Sequence, residues 1–313
     1  MKFSLKYILF LSLILIIISC NSDNKNNSTN LKNKDVLVIK DYYNFEVGLK
    51  EYPKRIVSVS PAITELFYEF ESGYKLIGRT DFCNYPKDSV KNIKSIGGIN
   101  NANIEQIISL HPDLVITSSI FTKKMADVIK GAGIPIISFP EKKNIEGVYE
   151  TIDILGKILN KKEKADSIIN NIKNRLREIN HNRELSLGSG SSTKAIRALP
   201  KVYYVIQYGS SGDFSAGKDT YINEIISLAG GDNIAKNTKN WSFSKEQLFA
   251  NQPDYIFLRK EDSAQFIKTS PYNQLKAVKE KRVYGIESGW MDIQSSRTLL
   301  AIDFISKTIN RKK

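Results

Sequence analysis

One fifteen-residue pattern occurs twice in this chain. Residues 103–117 read NIEQIISLHPDLVIT and residues 244–258 read SKEQLFANQPDYIFL. Aligned without a gap, the copies share Glu105-Gln106 with Glu246-Gln247, and Pro112-Asp113 with Pro253-Asp254. An apolar run follows each Pro-Asp. Each copy reads as a short helix, a proline stop and a buried strand, with Asn103 or Ser244 placed to cap the helix. A repeat of this kind implies two similar lobes, each presenting one glutamate near a helix start. An acid in a first helical turn is explained by the helix dipole alone, at about 0.3–1 kcal/mol. That does not explain the same acid at the same offset from Pro-Asp in both copies.

The N-terminus reads differently. Lys2 and Lys6 precede an almost unbroken apolar run over 7–18, which ends Ile17-Ile18-Ser19-Cys20. Such a run is a signal-peptide core, too short to span a bilayer. The stretch resembles a bacterial lipobox, in which Cys20 is acylated. Residues 21–33 are Asn-rich and polar, with no pattern to fold on. The expectation is an exported chain, anchored to the cell membrane by lipid on Cys20 and facing the periplasm or the exterior. Cys83 is the only other cysteine, so the fold does not rest on disulfides.

The formal charge is +13, and loss of Lys2 and Lys6 with the signal lowers it by two. The lysines are scattered and densest over 157–183, where they read as the wet face of a helix. No aromatic-basic stripe appears, so nucleic acid is not a partner. His111 and His181 are the only histidines. That scarcity argues against a metal site and against a Ser-His-Asp hydrolase. His111, beside Pro112 at a helix end, reads as a cap for the last carbonyls.

Strand and helix signals alternate from 53 to 140 and again from 200 onward. This is the pattern of a parallel α/β sheet in each lobe. An edge hairpin is expected over 35–52. A long amphipathic helical stretch, 144–180, stands between the lobes as a stiff strut. Asn160 with Glu163 reads as a capping box where the helix breaks and restarts. The chain therefore divides into a signal (1–19), a disordered tether (20–34), a first lobe (35–140), a strut (141–183), a flexible loop (184–199) and a second lobe (200–313).

Residues 212–218 (GDFSAGK) match a phosphate loop through Lys218. Asp219 then stands where a magnesium-binding hydroxyl is required, and export separates the chain from ATP. The strand-end loops offer aromatics instead: Phe82, Tyr85, Tyr208, Phe214, Trp241, Phe243 and Trp290. Open α/β sheets bind ligands at those ends. Each buried ring contributes about 1.5–3 kcal/mol toward the roughly 12 kcal/mol of a nanomolar site. A large, flat, partly apolar ligand suits such a cleft.

The segments RIVSVSPAITELFYEF, IGRTDFCNYP, GGINNANIEQIISLHPDLVI, SAGKDTYINEIISLAGGDNIA, SKEQLFANQPDYI and SSRTLLAIDFI carry a family resemblance. From about Pro53 onward the chain resembles the substrate-binding lipoproteins of ABC importers that handle cobalamin, haem and ferric siderophores. TDFCNYP and GGINNANIE are most similar to the cobalamin binders. The resemblance implies a class III periplasmic binding protein: two Rossmann-like lobes joined by a long rigid helix, with ligand between them. It implies a monomer that captures a corrinoid and performs no chemistry, with no cofactor and no resident metal. Phe82, Tyr208, Phe214 and Trp290 fall at aromatic positions of the cobalamin cleft, and Trp241 lies one residue from another; with Tyr85 and Asn100 these are the expected ligand residues. Glu105 and Glu246 fall at the acids that pair with arginines of the permease dimer, and Arg297 falls at a structural position. Two residues depart from the cobalamin binders: Gly289 stands where they can present an acid, and Ile99 replaces a tryptophan. Haem or a ferric siderophore is the alternative ligand. A nucleotide hydrolase built on 212–218 and a surface adhesin are the readings from other classes.

Overall fold

A computed structural model describes residues 35–187 and 198–311. Cys20, the Asn-rich tether and most of the loop over 184–199 lie outside the described residues. The first lobe is built on a five-stranded sheet of β3 (Ile56–Ser58), β4 (Leu76–Arg79), β5 (Lys94–Ser95), β6 (Leu114–Ser118) and β7 (Ile136–Phe139), in the order β5-β4-β3-β6-β7. All its pairs are parallel. β3, β6 and β7 are almost wholly buried runs, as in sheets covered on both faces. The crossovers carry α1 (Pro61–Glu69), α2 (Lys87–Val90), α3 (Ile104–Ser109) and α4 (Lys123–Gly131). Ahead of the sheet, β1 (Leu37–Lys40) and β2 (Glu46–Leu49) form the antiparallel hairpin and bury Ile39 and Leu49.

Four parallel strands form the second sheet: β8 (Lys201–Val205), β9 (Asp232–Asn233), β10 (Tyr255–Arg259) and β11 (Val283–Ile286), ordered β11-β10-β8-β9. Its helices include α7 (Tyr221–Leu228), α8 (Lys245–Asn251), α9 (Lys260–Phe266), α10 (Lys276–Lys279), α11 (Ser288–Met291) and the closing α12 (Thr298–Ile309).

The sequence repeat has a physical reason in each sheet. Asp113 accepts the amides of Lys54 (2.7 Å) and Arg55 (3.0 Å), and its own amide donates to the Arg55 carbonyl. Asp254 accepts the Lys201 amide (2.9 Å) and its amide donates to the Lys201 carbonyl. Each Pro-Asp thus clamps β6 to β3, or β10 to β8, at the start of the pair. The residue before each proline, His111 or Gln252, takes the left-handed conformation that ends a helix. His111 caps through its backbone, its amide donating to Ile108 O (3.0 Å). Arg55 satisfies the carbonyls that remain, donating to Leu110 O (2.7 Å) and His111 O (3.1 Å), because its guanidinium reaches two acceptors at once. Lys201 makes the corresponding contact to Asn251 O.

Between the lobes the helical stretch breaks, as the sequence indicates, into α5 (Ile145–Ile158) and α6 (Lys162–Leu187). Asn160 plays a different part from the one expected. It closes α5 with φ +55°; its amide donates to Lys157 O and that of Lys161 to Gly156 O. This is a Schellman turn, which satisfies carbonyls at a helix end, not a capping box. The strut is consequently an antiparallel pair. The first amide of α5 donates to Glu224 of α7 in the second lobe (2.8 Å). At the turn, Lys161 reaches Phe70 O of the first lobe (2.7 Å). Returning, α6 meets Asp303 of α12 through Arg175 (3.3 Å). Phe67, Ile152, Ile172 and Ile302 belong to one buried apolar cluster that runs through both lobes and the strut. Wide opening would expose that cluster to water.

Candidate functional site: the cleft between the lobes

In each sheet the strand order reverses beside its first strand, between β3 and β6 and between β8 and β10. Loops leaving the C-terminal ends of strands at such a reversal are the ligand-binding edge of open α/β sheets. Two neighbouring cavities lie there, of about 370 Å³ and 180 Å³, and both are bordered by Glu141, Lys142, Asp292 and Gln294. The smaller has an apolar wall from the first lobe: Pro61 and Ile63 after β3, Ile99 after β5, Ile120 after β6 and Phe139 at the end of β7. Ile120 is 51% exposed. The larger is walled by Ile206, Tyr221, Ile222, Trp241 and Met291 of the second lobe.

Local sequence positions these groups. Ser60 caps α1 ahead of Pro61 and turns the chain at the cleft. Gln294 is tied to the link after β7: the Lys142 amide donates to its Oε1 (2.8 Å) and its Nε2 donates to Lys142 O (2.7 Å). Asp292 ends α11 and accepts from the Tyr204 hydroxyl (3.3 Å). It is open to solvent on one side, yet desolvation by its packed surroundings pushes its carboxyl up, against that hydrogen bond.

The expected ligand residues are distributed unevenly. Trp241 lines the larger cavity, with φ +65° and its carbonyl held by the Ser215 amide (2.8 Å). Phe82 is 59% exposed and its ring edge lies over Gly98. Asn100 is exposed in the turn ahead of α3. Tyr85 is partly exposed, with the Arg297 guanidinium 3.9 Å from its ring centre. Tyr208 is half-buried, edge-on to Phe266 and Tyr272. Phe214 pairs with Gln207 and Ser242 in a short ladder. Trp290 packs edge-on against Phe304 of α12, and Phe243 is buried in the core of the second lobe. Only Trp241 of these borders either of the two cavities. Sequence reasoning missed Asp292, Gln294 and Lys142. Their signal was position: two directly follow the last strand and its short helix, and one follows β7.

Residues 212–218 do not form a phosphate loop. The amides that would cradle phosphate donate elsewhere: Phe214 to Gln207 O, Ser215 to Trp241 O and Lys218 to Lys236 O. A Cβ on Gly217 would lie 2.4 Å from Thr238 O, so that glycine serves chain packing.

Glu105 and Glu246 each occupy the second position of their helices and are exposed. Asn103 accepts the Gln106 amide (2.9 Å), and Ser244 forms a reciprocal capping box with Gln247. The amide of Glu246 itself, with the Ser244 hydroxyl, holds the Glu246 carboxyl below the usual carboxylate range.

Residues 56–289 match the sequence profile of the family described as periplasmic binding protein. The chain belongs to that family. It is a solute-binding component of a transport system rather than an enzyme. It is similar to the uncharacterized ABC transporter substrate-binding lipoprotein YvrC of Bacillus subtilis (strain 168), 28% identical over 87% of this chain and 85% of the relative. It is also similar to a vitamin B12-binding protein of Vibrio parahaemolyticus, 24% identical over 87% of this chain and 95% of that protein. Among solved structures, a periplasmic heme binding protein from Pseudomonas aeruginosa shares the fold, with a TM-score of 0.73, 20% identity, and coverage of 82% of this chain and 93% of that one.

Proposed function

We propose that this solute-binding protein captures a corrinoid, cobalamin, in the cleft between its lobes and delivers it to the permease dimer of an ABC importer. The observation that carries the reading is the chemistry of the cleft. An apolar wall from the first lobe meets the Asp292 carboxylate, and Gln294, bonded to Lys142 through both ends of its amide, fixes that polar border. A corrin ring is broad and flat, and its rim of amides suits such a border. The nearby arginines are committed to the protein. Arg79 donates to Val90 O and Thr80 O, Arg259 to Asp262 and Ile206 O, and Arg297 to Glu65. An anionic iron chelate, or the propionates of haem, would have to draw instead on the lysines that border the larger cavity, Lys142, already paired with Glu150 (2.8 Å), and Lys143. The vitamin B12-binding relative supports the same ligand class.

Phe82, Tyr85, Asn100, Tyr208, Phe214, Trp241 and Trp290 are the residues assigned to ligand contact. Closure is small, because one apolar cluster joins the lobes and strut. Glu105 and Glu246 then engage arginines of the permease, one in each subunit, setting orientation more than affinity. Lipid on Cys20 holds the monomer at the membrane.

Calorimetric titration of the form beginning after Cys20 tests the ligand. Cyanocobalamin, haemin and a ferric siderophore are titrated in parallel. Tight one-to-one binding of cyanocobalamin alone supports the reading. Tight binding of an iron ligand, with none of cyanocobalamin, replaces it with the haem or siderophore reading.

A further inference from the structure

Arg297 stands at the foot of α12 in the second lobe, but its guanidinium is built into the first. Its Nε donates to Glu65 Oε2 at 2.9 Å and its Nη2 donates to Glu65 Oε1, a two-pronged pair with α1. The Ser295 hydroxyl donates to the same Glu65 Oε2 at 2.6 Å. Glu65 is 3% exposed and Arg297 16%, so neither swings into solvent without leaving a buried charge behind. Two further groups lie against the planar guanidinium. The Tyr85 ring centre is 3.9 Å away. A Cβ on Gly289 would come within 2.5 Å of Nη2 and 3.0 Å of Cζ. The far end of an arginine usually yields to such a contact at little cost, but this one can shift only by straining its pair with a buried carboxylate.

We propose that Arg297 is a positioning residue for ligand capture. It pins the 82–85 loop of the first lobe to the second lobe through the Tyr85 ring, and it requires position 289 to be glycine. The proposal rests on the reading that this loop faces the ligand. It also gives Gly289 a physical reason: a side chain there displaces the guanidinium, and with it Tyr85.

The test uses Arg297→Lys, which keeps the charge but loses the fork and its flat face, and Gly289→Ala, which leaves Glu65 and Arg297 intact. Hydrogen exchange of the ligand-free intact chain is read over 82–90, together with cyanocobalamin affinity and melting temperature. Both variants should speed exchange over 82–90 and weaken cyanocobalamin, each by about fivefold, the size of a cation–π contact on a partly exposed ring. In a Tyr85→Leu background, Arg297→Lys should cost less than about twofold further, because the two residues act as one. Exchange over 82–90 that stays unchanged in both variants overturns the proposal, as do losses that multiply in the double variant. A purely structural role would spread faster exchange through α1 and α12. Should Arg297→Lys fail to fold, Gly289→Ala decides. Should the parent chain not bind cyanocobalamin, the corrinoid reading falls, and the exchange arm still decides the pin.

Discussion

Asp113 and Asp254 make the same hydrogen bonds in different lobes. Each carboxylate accepts an amide at the head of its lobe's first parallel strand, and each amide returns a bond to the carbonyl there. The repeated Pro-Asp is thus a strand clamp used twice, and the glutamate eight positions ahead of each Asp is carried to the same place in both lobes.

Removing a clamp should weaken the fold in proportion to the amides released. Asp113→Ala frees two amides and Asp254→Ala one. Each lost bond costs about 1 kcal/mol, so thermal melts should show the larger drop for Asp113→Ala. Equal melting temperatures in both variants and the parent would contradict the clamp.

Gly217 and Lys218 should respond in opposite ways. Gly217→Ala drives a Cβ into the Thr238 carbonyl and should cost about 1–3 kcal/mol. Lys218 is exposed, and Lys218→Ala should stay within about 0.5 kcal/mol of the parent. A phosphate loop would reverse the importance of the two residues, with Lys218→Ala abolishing nucleotide binding.

Glu69 gives the fold a pH dependence with a definite sign. Burial, more than any other cause, lifts its carboxyl above the ordinary value of 4.5, although Ser296 donates to it. The folded state holds the proton more tightly than the unfolded one. Its contribution is therefore complete below the ordinary value and is lost as pH rises through the lifted one. Glu69→Gln removes the titration and keeps an acceptor for Ser296. Its melting temperature relative to the parent should rise between pH 4 and pH 7; a difference that is constant or falls would refute this.

Much of the fold was legible because it is local. Buried runs such as Leu114–Ser118, the Ser60-Pro61 helix start and the repeated cap-to-proline spacing each lie within a few residues. What stayed hidden is what joins distant segments. Glu65 and Arg297 are 232 residues apart, and no periodicity links them. Asn160 was legible as a break but not as a cap for the preceding helix, since a left-handed residue and a capping residue draw on the same side chain. Aromatics at strand ends were easy to find. Which of them face the cleft was not, because Trp290 packs on Phe304 of the next helix and Tyr208 on Phe266, on an element far along the chain.

Docking and capture should separate cleanly. Glu105→Arg with Glu246→Arg should abolish uptake in cells while leaving ligand affinity unchanged. Reversing an acid in a first helical turn costs about 0.3–1 kcal/mol, so a melt of the double variant checks that it remains folded. Uptake that persists would remove both glutamates from the docking surface.

One ligand gripped by both lobes at once should protect both, and hydrogen exchange with and without saturating cyanocobalamin measures that protection. Slower exchange is expected in the first lobe at 60–63 and 118–121, and in the second at 219–222 and 291–295, all in the same complex. Protection confined to one lobe, or none at saturation, would contradict capture in the cleft.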